Sequence, residues 1–96
     1  MERDQIFDVL RQHRAEIEAH GVARLDVFGS WMRGDERRDS DVDILVDFNR
    51  AVSIFEFLEV KDFLENLLGK PVDLVMRRAL KPQLRERILA EAVSAI

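Results

Sequence analysis

Residues 25–47 read LDVFGSWMRGDERRDSDVDILVD. An apolar run ends in Gly29-Ser30, an arginine-rich polar segment follows, and a second apolar run opens with Asp41-Val42-Asp43. In a strand successive side chains face opposite ways, so Asp41 and Asp43 share one face, about 7 Å apart along the chain. Two carboxylates so placed repel unless a cation lies between them. A divalent metal held by oxygen ligands is the simplest such cation, and a glycine-serine turn beside it suits a phosphate group. This stretch therefore predicts a site for a metal and a nucleotide.

Working outward, residues 22–28 form the first predicted strand and residues 42–48 the second. Ile44, Leu45 and Val46 make a continuous apolar run, as in a strand buried on both faces. Upstream, Ile6, Val9, Leu10, His13 and Ile17 recur at helical spacing, which predicts one amphipathic helix over residues 4–20, stopped by Gly21. Residues 30–34 suit a single helical turn. Downstream, Ser53 and Glu56 have the spacing of a capping box, so a helix is expected over residues 54–68. Its expected buried stripe is Ile54, Phe57, Leu58, Leu64 and Leu67 or Leu68, and Gly69 ends it. Pro71-Val72-Asp73-Leu74-Val75 reads as a third strand, with proline where the missing donor matters least. Pro82 opens a last helix whose apolar face is expected to hold Leu84, Ile88, Leu89, Val93 and Ile96.

The connections predict a topology. A shared metal and phosphate site needs Gly29-Ser30 near Asp41, which calls for antiparallel pairing of the first two strands. A full helix between the second and third strands is the usual crossover of a parallel pair. The expected result is a small mixed three-stranded sheet of order 1-2-3, with Asp73 on the same rim as Asp41 and Asp43.

The whole chain limits what surrounds this rim. With 96 residues there is room for one domain, expected to span residues 1–96, and for no second lobe. A net charge of -4 argues against broad nucleic-acid binding, which needs a basic surface. Without cysteine there are neither disulfides nor thiolate metal sites. No apolar run is long enough to span a bilayer and the first residues do not open a signal peptide, so a cytoplasmic protein without membrane contact is expected.

Gly29-Ser30, ten further residues, then Asp41-Val42-Asp43 resembles the signature of the DNA polymerase β-like nucleotidyltransferase superfamily. Arg33-Gly34, Ser40 before the first aspartate, and the ending Leu80-Lys81-Pro82 resemble its minimal nucleotidyltransferase (MNT) branch. The resemblance covers nearly the whole chain and implies an α+β nucleotidyltransferase fold with element order α-β-short α-β-α-β-α. It implies that Gly29 and Ser30 hold nucleotide phosphates and that Asp41, Asp43 and Asp73 bind Mg²⁺, as two ions, and carry catalysis. It also implies ATP as substrate, and as partner a HEPN-type toxin, a ribonuclease silenced by transfer of AMP to a tyrosine. Arg33 is either a further phosphate partner, its fork matching phosphate oxygens, or a structural arginine of the turn.

The chain contains no tyrosine and no threonine, and two of its serines, Ser30 and Ser40, belong to the motif. An acceptor hydroxyl is therefore expected from a partner. A domain this small does not enclose a second substrate, so a protein acceptor fits better than a free small molecule. Two alternatives stand beside the AMP-transferring antitoxin. One is a binding module that neutralises the toxin by occlusion alone; the other is a nucleotidyltransferase acting on an antibiotic or other small molecule, which needs a second domain.

Overall fold

The centre of the sheet is β2 (Val42–Phe48), and its sequence explains why. Val42, Ile44 and Val46 belong to the main core on one face, while Leu45, fully buried, packs on the other. A strand apolar on both faces belongs in the middle of a sheet. The computed structural model describes residues 3–29 and 41–96. The predicted helical turn over 30–34, and with it Ser30, Arg33 and Ser40, lies outside the described residues.

On one side β1 (Val22–Phe28) pairs with β2 antiparallel; on the other, β3 (Val72–Met76) pairs with it parallel. The connection from β2 to β3 runs through helix α3 (Ile54–Leu68), as the crossover rule requires. Ser53 Oγ accepts from Glu56 N–H, and the Glu56 side chain accepts from Ser53 N–H, so the capping box is formed. Gly69 closes α3 in the left-handed conformation at φ 66°. Val42 N–H donates to the Pro71 carbonyl at 2.9 Å, which locks the start of β2 to the start of β3.

The sheet departs from the expectation in one respect. Among the described residues it has four strands, in the order β3-β2-β1-β4, because β4 (Val93–Ser94) adds antiparallel to the outer side of β1. The last helix, α4 (Pro82–Glu91), accordingly stops well before Ile96. Ala92 is already extended, at ψ 138°, and Ala95 N–H donates to the Leu25 carbonyl at 2.8 Å. The edge of β1 offers unpaired backbone groups, and a β-branched Val93 is a better strand residue than helix residue.

Three further expectations are corrected. The first helix is two, α1 (Arg3–Gln12) and α2 (Arg14–Ala19), broken at His13. There the Val9 carbonyl accepts from His13 N–H at 3.2 Å and also lies 2.9 Å from the His13 imidazole Nδ1, a local side-chain contact that crowds one carbonyl at the junction. On α3 the buried residues are Val60, Leu64 and Leu68, whereas Ile54 is 63% and Leu58 48% exposed. At about 100° per residue the stripe centres between Val60 and Leu64, leaving Ile54 and Leu58 a quarter turn or more away. Finally, α4 has no buried residue, and its Leu84 is 44% exposed.

The main core joins Ile6, Phe7 and Leu10 of α1 and Ile17 of α2 to one face of the sheet and to α3. Among the described residues no helix is long and apolar enough to cross a membrane. The opposite face of the sheet is left for chemistry.

Candidate active site

Pairing and alternation decide which side chains meet on that second face. Asp43 sits opposite Phe28 of β1 and opposite Asp73 of β3. Two residues along, Leu45 sits opposite Asp26 and Val75. Asp43 and Asp73 therefore stand side by side on one face of a parallel pair, and Asp41, just before β2, shares that face by alternation. Asp41 and Asp73 are exposed and Asp43 is half-buried.

Gly29 follows β1 directly, with φ +80°. A Cβ built there would overlap Asp43 Oδ2 and stand 2.9 Å from its Cγ. Only glycine lets the backbone turn this way against the carboxylate. Gly29 N–H donates to Glu91 Oε1 of α4 at 3.2 Å. A cavity of about 220 Å³ lies here, lined by Phe28, Gly29 and Asp43 below and by Leu84, Arg87, Ile88 and Glu91 above. The apolar pattern of α4 reads in the sequence as a candidate docking face or as core; the spacing of residues 84, 87, 88 and 91, one helical face that mixes apolar and charged positions, is the signal that marks it as a wall of the site.

Behind the rim lies a carboxylate the sequence reading did not single out. Asp26 is 1% exposed and accepts from Arg24 Nε at 3.0 Å and from Arg77 Nη2. Arg77 Nε also donates to Asp47 Oδ2 at 2.9 Å. Partial burial disfavours the Arg77 charge, yet the hydrogen bonds and attraction of Asp26 and Asp47 outweigh it and hold the guanidinium above its ordinary value. This bridge ties the end of β3 to β1 and β2, and it fixes the sheet on which the rim carboxylates stand. An aspartate inside an apolar strand and an arginine just past another were its visible traces.

The donor set on the rim is made of hard oxygen ligands, which suits Mg²⁺. Among the described residues no three acidic or histidine side chains close around a point as a ready metal cage. That agrees with the habit of Mg²⁺, which keeps several waters and binds through one or two carboxylates together with substrate phosphates. Ser30 and Arg33, expected at the phosphates, lie outside the described residues.

A mixed sheet in this order, with a glycine turn against the first residues of β2 and a carboxylate in register on the parallel neighbour, defines a nucleotidyl-transferring class of domain. Known proteins agree. The chain matches the Nucleotidyltransferase domain family over residues 10–95. Protein adenylyltransferase MntA of Thermococcus cleftensis is 45% identical over 91 residues, which is 94% of this chain and 92% of that protein. A solved structure assigned to the minimal nucleotidyltransferases is 40% identical, with a TM-score of 0.75 over 97% of this chain and 95% of that one. A chain from a crystal structure of a toxin-antitoxin with AMP-PNP shares the fold, with a TM-score of 0.70 at 23% identity, over 100% of this chain and 73% of that one. The chain belongs to the nucleotidyltransferase domain family, among its minimal members, and is an enzyme of that class.

Proposed function

We propose that this domain transfers AMP from ATP, with Mg²⁺, to a hydroxyl of a partner protein, a tyrosine by preference. We further propose that in doing so it acts in the cytoplasm as the antitoxin of a HEPN-type toxin. The observation that carries the reading is the in-register pair Asp43 and Asp73 beside the Gly29 turn. The relative from Thermococcus cleftensis is named for protein adenylylation. The fold is shared with a complex of tri-AMPylated Shewanella oneidensis HEPN toxin and MNT antitoxin, at 20% identity and a TM-score of 0.60.

In this reading Asp41 and Asp43 would hold the metal that serves the nucleotide, and Asp73 would serve the acceptor. Bound there, Mg²⁺ supplies positive charge to the polyphosphate and lowers the pKa of the acceptor hydroxyl. The Gly29-Ser30 turn is the assigned holder of the β and γ phosphates in this reading. The acceptor oxygen attacks the α-phosphorus in line, a new O–P bond forms, and the bond to the β-phosphate oxygen breaks. Pyrophosphate leaves, and the hydroxyl proton passes to the rim carboxylates or to water. An open rim of this kind leaves room for an acceptor side chain presented by another protein.

The test is transfer of label from α-labelled ATP and Mg²⁺ to the HEPN-type partner. Wild-type protein is expected to label it, and the double variant Asp41→Asn with Asp43→Asn is not. Labelling by the double variant would refute the metal assignment. Neutralisation of a toxin stripped of its acceptor tyrosine would favour occlusion instead.

A further inference from the structure

Helix α4 carries an unusual inward face. Leu84, Arg87, Ile88 and Glu91 recur at i, i+3, i+4 and i+7 and all four line the cavity above Asp43 and Gly29. None of the residues of this helix is buried, so packing alone does not explain its place. It is held at its far end, where Glu91 accepts from Gly29 N–H and β4 pairs with β1, while near its start Arg85 Nη1 makes only a long, exposed contact of 3.5 Å to the Arg77 carbonyl. Arg85 is thus engaged with the chain. Arg87, exposed on the cavity side, has no hydrogen-bond or ion-pair partner among the described residues.

We infer that Arg87 binds the β and γ phosphates of the nucleotide from the α4 side, while Glu91 positions α4 against the Gly29 turn. The inference rests on the nucleotidyl-transfer reading and adds a binding residue to it. The cavity lining otherwise includes two carboxylates, Asp43 and Glu91, and among the described residues Arg87 is the only cationic member of that lining. A polyanion entering beside Gly29 meets an N–H group already given to Glu91, and among the described residues of the lining Arg87 brings the positive charge. A guanidinium fork suits that task because it meets two phosphate oxygens at once. Its place beside the glycine turn puts it on the side of the leaving pyrophosphate, not of the transferred AMP. The helix then has a reason to lie over the site without burying its own face: the nucleotide completes the layer.

The test compares nucleotides of different phosphate number. Kd values for AMP-PNP and for AMP, each with Mg²⁺, are measured by calorimetry on wild type, Arg87→Ala, Arg87→Lys and Arg85→Ala. For Arg87→Ala the AMP-PNP affinity is expected to fall about ten- to a hundredfold, with AMP affinity changed by less than about twofold. Arg87→Lys should fall between, keeping the charge and losing the fork. Arg85→Ala should bind AMP-PNP as wild type does. Equal loss for AMP and AMP-PNP, or no loss for either, overturns the inference while leaving the nucleotidyl-transfer reading in place. Wild-type protein that binds neither nucleotide overturns both.

Discussion

Gly29 and Asp43 stand in contact across β1 and β2, the glycine at φ +80° and the carboxylate occupying the space where a Cβ would lie. Position 29 thus constrains the site twice, through backbone conformation and through space. In Gly29→Ala the methyl group and Asp43 cannot both keep their places. The strained backbone costs about 1–2 kcal/mol, which lowers the denaturation midpoint modestly. Transfer activity is expected to fall much further, by about a hundredfold, because a carboxylate displaced by an ångström misplaces what it holds. Denaturant melts and labelling rates, measured on the same preparation, separate the two effects.

The bridge from Arg77 to Asp26 and Asp47 makes a stability prediction. Removing one member of a buried pair leaves the other charge uncompensated, and Asp26 is buried in the sheet. Arg77→Ala is expected to destabilise the fold by about 3–5 kcal/mol. Asp47→Ala, at a half-buried and more accessible carboxylate, should cost less than half of that. A double-mutant cycle on Arg77 and Asp47 in urea should give a coupling of at least about 0.5 kcal/mol. A coupling of zero would remove Asp47 from the bridge.

Glu65 links α3 to the start of the strand that bears Asp73. Its Oε2 accepts from Val72 N–H at 2.8 Å and lies 3.5 Å from Lys61 Nζ. The Val72 hydrogen bond in the first place, and Lys61 after it, hold the carboxyl below its ordinary value of 4.5. Because the folded state has the lower pKa, this contribution is fully present above about pH 4.5 and fades as pH falls below it. Glu65→Ala should therefore be less stable than wild type near neutrality, and the difference should shrink on acidification below pH 4.5. Urea midpoints collected from pH 7 to pH 3 test this. A gap that stays constant with pH would mean that Glu65 acts through packing alone.

Much of this architecture is local in origin and hence legible in the chain. Strands β1 and β2 are bounded by Gly21, Gly29 and the aspartates, and α3 is framed by its capping box and by Gly69. Alternation alone puts Asp41 and Asp43 on one face, and the crossover rule brings Asp73 to it. What the sequence hides depends on distant partners. Val93 and Ser94 become a strand only because β1 presents a bare edge, and no local pattern of two residues announces that. At the break the Val9 carbonyl is shared by the His13 backbone N–H and the His13 imidazole, a detail that apolar periodicity does not register. The exposed Leu58 reads as part of a buried stripe, and the apolar positions of α4 do not reveal a site wall, because helical periodicity tells which residues share a face, not what that face meets.

Asp73 permits a test of the division of labour on the rim. It is exposed, it lies in register with Asp43, and its neighbours Val72 and Leu74 carry the packing of β3. Asp73→Asn keeps the shape and removes the charge, so the melting midpoint should move by no more than about 0.5 kcal/mol in free energy. If Asp73 serves the acceptor side and Asp41 with Asp43 the nucleotide side, AMP-PNP affinity should stay within about threefold of wild type. The transfer rate at saturating ATP should fall by about 10²–10⁴, the range for losing a group that assists proton removal from the attacking oxygen. A variant that loses nucleotide affinity in step with rate would instead place Asp73 beside the other two aspartates, as a ligand of the nucleotide-bound metal.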